Sequence, residues 1–269
     1  MKINSAATGD MFTFISSQTQ EQPLASHSGR VLCRYAYGRA METLLQGENG
    51  QDFVGVQTYG DVCNFVLCDG VSMSYQGDFA ARFLGNTLLD WLDHTRDWSS
   101  AGFTEFITSI TESASAQLRR LAPPGGVPSL LREVLEDKQR MGSQSMYICG
   151  RIELPISRKK QGRLWMAWQG DSRLRFWKDG LEVSEHFDDT FRTNERWSTL
   201  TGPVGGKPHV YQTRLDYGMP MRLQLYTDGL ADLDPIHQVL PDELIQVLLD
   251  APHTEGLQDD AAFLELQWS

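Results

Sequence analysis

Long hydrophobic runs are absent from this sequence. The longest apolar stretches, residues 62–68 and 164–168, fall far short of the roughly 18 residues that a membrane-spanning helix needs. The chain begins Met-Lys-Ile-Asn-Ser and continues with small and polar residues, without the continuous apolar core of a secretory signal. We therefore expect no transmembrane segment and no membrane partner, and the simplest prediction is a cytoplasmic protein.

Cysteine and positive charge are also scarce. The sequence contains Cys33, Cys63, Cys68 and Cys149. No two of them form a CxxC pair, which argues against a zinc cluster and against a disulfide framework. The formal net charge of −11 repels the phosphates of nucleic acids, so a nucleic-acid partner is not expected. The surplus of carboxylates is compatible with binding of divalent cations.

The composition changes once, near the beginning of the 269-residue chain. Residues 1–30 are rich in Ser, Thr, Gln and Gly and show little periodicity, which predicts an N-terminal extension that is partly ordered at best. Residues 31–269 contain no internal repeat and no interdomain linker, so we predict a single domain there.

Short β-rich segments dominate that domain, and several alternate apolar with polar residues. Strands are predicted over residues 53–57, 62–68, 146–154, 164–169, 174–177, 210–215, 222–227 and 262–268. Apolar residues at helical spacing predict helices over 79–92 and 103–121, and a third helix is predicted over 241–249. Strands in hairpin-like succession, with helices grouped between them, predict an α+β fold rather than alternating βαβ units.

Four aspartates stand at or beside the ends of predicted strands. Asp52 precedes the first of these strands, Asp69 directly follows the second, Asp228 follows the seventh and Asp259 precedes the last. Taken singly, each is most simply a turn residue, since Asp-Gly is a common turn dipeptide. Their order along the chain, together with the flanking residues, carries more information than any one of them.

Eight short segments extend this pattern from about residue 47 to the end of the chain. They are Asn49-Gly50-Gln51-Asp52, Val66-Leu67-Cys68-Asp69-Gly70-Val71, Met141-Gly142-Ser143-Gln144-Ser145, Gly170-Asp171-Ser172-Arg173, Lys178-Asp179-Gly180, Leu200-Thr201-Gly202-Pro203-Val204-Gly205, Thr227-Asp228-Gly229-Leu230 and Asp259-Asp260-Ala261. Together they resemble the motifs of the metal-dependent protein phosphatases of type 2C, the PPM family, and look closest to a divergent bacterial-type member.

The resemblance implies an α-β-β-α sandwich, with two packed central antiparallel sheets flanked by helices and metal ions at one edge. It implies that Asp52 and Asp228 ligate one or both of two Mg²⁺ or Mn²⁺ ions, and that Asp69 bridges them beside the backbone carbonyl of Gly70. Asp259 would hold the ion shared with Asp228. Hard oxygen ligands suit these cations, and water activated by them would replace a side-chain nucleophile.

Asp137 is a further candidate metal ligand, for a third ion. It lies five residues before Gly142, a spacing similar to that of a weaker third-metal aspartate in bacterial family members. Glu133 and Glu136 are close, so a solvated helix end is the alternative interpretation. Asp171 and Arg173, in the Gly-Asp-Ser-Arg turn, are expected to be structural.

One position departs from the family pattern. Many members carry an arginine five residues before the first-motif aspartate, where its planar guanidinium grips the substrate phosphate, and here that position is Gly47. Arg39 is a candidate phosphate contact in its place, although its spacing does not demand this. His186 and His209 are candidate general acids, with surface or packing roles as the alternative.

The resemblance implies a phosphatase that hydrolyses phosphoserine or phosphothreonine in proteins, opposing a Ser/Thr kinase or acting on its targets. Because Gly47 replaces the phosphate-binding arginine, the alternative is a catalytically weak or inactive module that keeps the fold and binds a phosphoprotein or partner. A third interpretation treats the aspartates as turn residues only and predicts no bound ion.

Overall fold

The structure is a computed structural model that describes residues 11–121, 129–187, 191–236, 240–250 and 257–269. The described strands are β1 (Phe12–Ile15), β2 (Gln22–Ser28), β3 (Leu32–Gly38), β4 (Phe53–Tyr59), β5 (Val62–Gly70), β6 (Gln144–Glu153), β7 (Gly162–Gln169), β8 (Arg173–Lys178), β9 (Leu181–Glu182), β10 (Arg196–Ser198), β11 (Gly202–Val204), β12 (His209–Leu215), β13 (Met221–Tyr226) and β14 (Ala261–Trp268).

The described helices lie between and beside these strands. They are α1 (Met41–Gln46), α2 (Gly77–His94), α3 (Ser100–Ser109), α4 (Thr111–Leu118), α5 (Ser129–Met141) and α6 (Asp242–Asp250), with 3₁₀ turns over Ser184–His186 and Asp228–Leu233. None of the helices in the described ranges is long and apolar enough to cross a membrane.

Two antiparallel sheets form the centre of the molecule. The first runs β1-β4-β5-β6-β7-β12, and β10 and β11 continue it from the first residues of β6, where Trp197 lies opposite Ser145. The second runs β2-β3-β14-β13-β8-β9. This arrangement confirms the predicted α+β class with two central antiparallel sheets.

The inner faces of the two sheets pack against each other because their apolar residues alternate along each strand. Val54 and Leu67 of the first sheet and Leu223 and Leu225 of the second are all fully buried in one hydrophobic cluster. Gln224, between the two leucines, instead donates a hydrogen bond to Glu265 at 2.9 Å. Each fully buried leucine contributes about 1.5–3 kcal/mol relative to an exposed one, so this interface is a major source of stability.

Helices cover the outer faces of both sheets. Leu84, Leu88 and Leu92 recur every four residues along α2, which places them on one face, and they join a buried cluster with Val66 and Trp165 of the first sheet. On the second sheet, α6 supplies Ile245 and Leu249 to a cluster that includes Phe263. The layers therefore follow the expected α-β-β-α order.

The N-terminal strands differ from the sequence prediction. β1 pairs with β4 at one edge of the first sheet, and β2 pairs with β3 at one edge of the second. Phe12 and Phe14 pack on the inner core, but a strand of four residues gives too short an alternation to be detected in a polar context. The sheets thus begin before residue 31, where the sequence placed the start of the domain, and residues 1–10 lie outside the description.

The remaining predictions differ mainly in detail. The helix predicted over 103–121 is divided at Ile110 into α3 and α4, whereas α5, which carries Asp137, was anticipated only as a helix end. All four cysteines are free and buried.

Candidate metal centre

Strand register brings the four predicted aspartates to one edge of the sandwich. Asp52 immediately precedes β4, and Asp69 lies near the end of its antiparallel partner β5. Asp228 follows β13, and Asp259 stands just before its antiparallel partner β14. Each sheet therefore contributes two aspartates, and the packing of the two sheets brings both pairs within electrostatic reach of one another.

A hydrogen bond joins the two halves of this edge. The Thr227 hydroxyl, after β13, donates to Oδ2 of Asp52 at 2.6 Å, and Oγ1 of Thr227 accepts a hydrogen bond from the Ala262 amide at 2.9 Å. Asp52 is only 2% exposed, so its position is fixed by this contact and by the surrounding core. Thr227 therefore holds a carboxylate of the first sheet against the second.

The carboxylates disfavour each other's charged forms. Burial raises the pKa of Asp52 well above its usual range, and the charge of Asp69 adds to the effect, whereas the Thr227 hydrogen bond opposes it. For Asp69, burial raises the pKa and the charges of Asp228, Asp171 and Asp259 raise it further.

The pKa of Asp259 is also raised, although the residue is exposed. Partial loss of hydration is the larger cause, and the charge of Asp228 adds to it. Negative charge is thus concentrated at this edge of the sandwich.

Asp171, expected to be structural, lies within electrostatic reach of these aspartates. Burial and the charge of Asp228 raise its pKa. The neighbouring Arg173 is the main cation nearby, but its guanidinium is engaged with Asp234 at 3.0 Å. The Gly-Asp-Ser-Arg turn was visible in the sequence, yet nothing local in it indicates that the turn ends beside the other aspartates.

Asp260 has a structural role that sequence reasoning also missed. It is 3% exposed, and its two carboxylate oxygens accept hydrogen bonds from the amides of Ala40 at 2.7 Å and Gln51 at 2.6 Å. These contacts tie the loops before α1 and β4 to the start of β14. Asp260 therefore fixes the backbone on both sides of the aspartate cluster.

Glycines allow the backbone to approach closely beside Asp69. A Cβ atom at Gly70 would lie 2.5 Å from the carbonyl oxygen of Gln51 and 2.7 Å from that of Gly77. At Gly77, a Cβ atom would lie 2.5 Å from Oε1 of Gln51, which is buried and has no hydrogen-bond partner within the described ranges. Several oxygens thus crowd a space that only glycine leaves open.

The donor set suits a hard divalent cation. Carboxylate and carbonyl oxygens are the ligands that Mg²⁺ and Mn²⁺ prefer, and the unpartnered Oε1 of Gln51 adds another acceptor at this edge. In the described part of the chain, however, no three His, Cys, Asp or Glu side chains already stand together as a ligand group. The chemistry fits, while the ligand roles of Asp52, Asp69, Gly70, Asp228 and Asp259 stay predictions.

Two other candidates are engaged elsewhere. The carboxylate of Asp137, 70% exposed on α5, accepts a hydrogen bond from Arg140 at 2.8 Å. Arg39 donates to Glu21 at 2.7 Å and to the carbonyl of Glu48 at 3.1 Å. Its guanidinium would have to leave Glu21 to contact a phosphate.

Of the two candidate general acids, the structure describes the side chain of His209. His209 lies 2.6 Å from Glu195 through Nε2 and stacks on Trp168 with ring centroids 5.6 Å apart, which favours the packing alternative. The side chain of His186 lies outside the description.

Comparison with solved structures identifies proteins with a similar fold. No protein-family model and no curated protein sequence matches the chain. Its structure is similar to a serine/threonine phosphatase from Staphylococcus aureus, at 14% identity over 93% of this chain and 98% of the other, with a TM-score of 0.53.

Two further solved structures are similar in fold to this chain. Serine-threonine phosphatase 2C from Toxoplasma gondii matches at 10% identity over 96% of this chain and 99% of the other, with a TM-score of 0.52. RsbX in complex with magnesium matches at 11% identity over 91% and 100%, with a TM-score of 0.51. The chain therefore has the fold of the type 2C, or PPM, protein phosphatases.

Proposed function

We propose that the protein is a metal-dependent phosphatase that hydrolyses phosphoserine and phosphothreonine in a phosphoprotein substrate, opposing a Ser/Thr kinase. The observation that carries this proposal is the convergence of aspartates from both sheets at one edge of a phosphatase-type fold. The charges of Asp228, Asp171 and Asp259 raise the pKa of Asp69, and Arg173, the cation that lowers it, is already paired with Asp234. Bound cations would complete this arrangement.

The chain's own residues define how such ions would be held. Asp52, Asp69, Asp228 and Asp259, with the carbonyl of Gly70, would hold two Mg²⁺ or Mn²⁺ ions. When bound, the ions would supply positive charge that lowers the pKa of water and neutralises phosphate. Asp137 would reach a third ion only after releasing Arg140.

The supporting residues position these ligands. Thr227 keeps the Asp52 carboxylate oriented, and Asp260 holds the adjoining loops in place. A cysteine nucleophile is not supported, because burial raises the pKa of the Cys68 and Cys149 thiols well above the ordinary value. The net reaction is attack of water on phosphorus with release of the serine or threonine hydroxyl.

Turnover of an aryl phosphate and of a phosphothreonine peptide tests the proposal. We expect hydrolysis that requires Mn²⁺ or Mg²⁺, disappears in chelator, and falls at least about 100-fold in Asp69→Asn and Asp228→Asn, as for loss of a main transition-state contact. Asp216→Asn, the same change at an exposed aspartate after β12, is the matched control. Full activity of both variants in chelator would refute the proposal.

A second candidate is a phosphatase-like module that binds a phosphoprotein without turnover. Two observations favour it: Gly47 stands where the family has its phosphate-binding arginine, and Arg39 is engaged with Glu21. Metal-dependent binding of a phosphopeptide, with no release of phosphate over hours, would support this alternative.

A further inference from the structure

A cavity of about 480 Å³ opens beside the candidate metal centre. Its lining includes Gly47, Gln51, Ser72, Gly77 and Lys138. Gln51 directly precedes Asp52, and Gly77 contacts the backbone around Gly70, so the cavity and the aspartate cluster share a wall. A group bound in the cavity would therefore lie next to the proposed cations.

The cavity is lined by polar groups without partners. Tyr75, which also lines it, is 3% exposed, and its hydroxyl has no hydrogen-bond partner among the described residues. Oε1 of Gln51 is likewise buried and has no hydrogen-bond partner among the described residues. Because buried polar groups are nearly always paired in folded proteins, the unpaired Tyr75 hydroxyl, which can donate, indicates an acceptor ligand in the cavity, whereas the acceptor Oε1 of Gln51 suits the cations at the shared wall.

Lys138 supplies the positive charge. It lies half-buried on α5, lines the cavity, and forms no ion pair with a described residue. Two acidic residues, Glu48 and Asp78, share the lining. The Asp78 carboxylate is 3.5 Å from the Arg82 guanidinium, which offsets its charge, and Glu48 is exposed to solvent.

We propose that this cavity binds the phosphate group of the substrate, with Lys138 as its cation and the Tyr75 hydroxyl as a hydrogen-bond donor. The assignment rests on the proposed function, because it places the phosphate beside the candidate metal ions. Gly47 leaves open space, since a Cβ atom there would have no neighbour within 4 Å, and a tetrahedral dianion can enter. An ammonium and neutral hydroxyl donors are the groups that recognise such an anion.

Binding of inorganic phosphate to the full chain in Mn²⁺, measured by calorimetry, tests this assignment without turnover. We expect Lys138→Gln to weaken the phosphate Kd by about tenfold or more, as for loss of a hydrogen bond to a charged group, and Lys138→Arg to restore most of the affinity. Lys159→Gln, the same change in the exposed hairpin loop between β6 and β7, should match the wild type. Tyr75→Phe should weaken binding a few-fold without lowering Tm, because its hydroxyl has no partner to lose.

The outcomes separate the two proposals. Unchanged phosphate affinity in Lys138→Gln, or wild-type protein that binds no phosphate, would overturn the cavity assignment. If Asp69→Asn abolishes turnover while Lys138→Gln leaves both KM and phosphate Kd unchanged, the phosphatase stands and the cavity assignment falls. If phosphate binding requires Lys138 but no phosphomonoester is hydrolysed, the cavity assignment stands and the enzymatic proposal falls.

Discussion

The crowded carboxylates should destabilise the metal-free fold at neutral pH, and divalent cations should reverse this effect. Burial raises the pKa of Asp69 well above the ordinary 3.8, and the charges of Asp228 and Asp171 raise it further. The folded chain therefore holds this proton more tightly than the unfolded chain does. The contribution to stability is complete below the ordinary pKa and is lost as the pH rises through the raised value.

The size of the metal effect follows from binding linkage. One ion at a concentration 100 times its Kd stabilises the fold by about 2.7 kcal/mol. For a domain of this size, each kcal/mol shifts Tm by about 2–4 °C, so one ion corresponds to an increase of roughly 5–10 °C and two ions to about twice that. The increase should be smaller at acidic pH, where protons already neutralise the carboxylates.

Thermal unfolding of the metal-free protein, with and without Mn²⁺ at about pH 5 and about pH 7.5, measures this effect. Asp69→Asn should raise the Tm of the metal-free protein at the higher pH, because it removes a buried charge, and should lose most of the gain from Mn²⁺. Asp216→Asn should behave like the wild type. A wild-type Tm that does not respond to Mn²⁺ at neutral pH, or an equal response in Asp69→Asn, would refute the argument.

Three further substitutions test the residues that position the site. Thr227→Val leaves the Asp52 carboxylate buried without its donor, so we expect the free energy of unfolding in urea to fall by about 2–3 kcal/mol and Mn²⁺ binding to weaken. Asp260→Ala leaves two backbone amides without their charged acceptor, and the same urea measurement should show a loss of about 3–5 kcal/mol. Gly70→Ala forces a Cβ atom to within 2.5 Å of the Gln51 carbonyl oxygen, so a loss of about 1–3 kcal/mol and of Mn²⁺ affinity by calorimetry is expected. Wild-type values in these measurements would contradict the assigned contacts.

The strand pattern and the positions of the four aspartates could be predicted because both depend on neighbouring residues. Alternation in β13 identifies its buried face, and an Asp-Gly pair directly after it indicates a turn whatever the rest of the chain does. The order of such motifs was enough to predict the fold class. It could not predict β1, whose four residues become a strand only by pairing with β4.

The site depended on contacts that no local pattern encodes. Thr227 and Asp52 are separated by 175 residues, and Asp260 and Ala40 by 220, yet each pair is joined by a hydrogen bond. Sequence alone gave no reason to place Asp171 among the other carboxylates.

The surroundings of the cations Arg39 and Lys138 could not be predicted from the sequence either. The structure pairs Arg39 with Glu21, and it places Lys138 of α5 and Gly47 in the lining of one cavity. By itself, the sequence determined which residues end the strands, since turns and alternation act over a few residues. The tertiary structure decided which charges meet, because charge pairing acts through space between segments far apart along the chain.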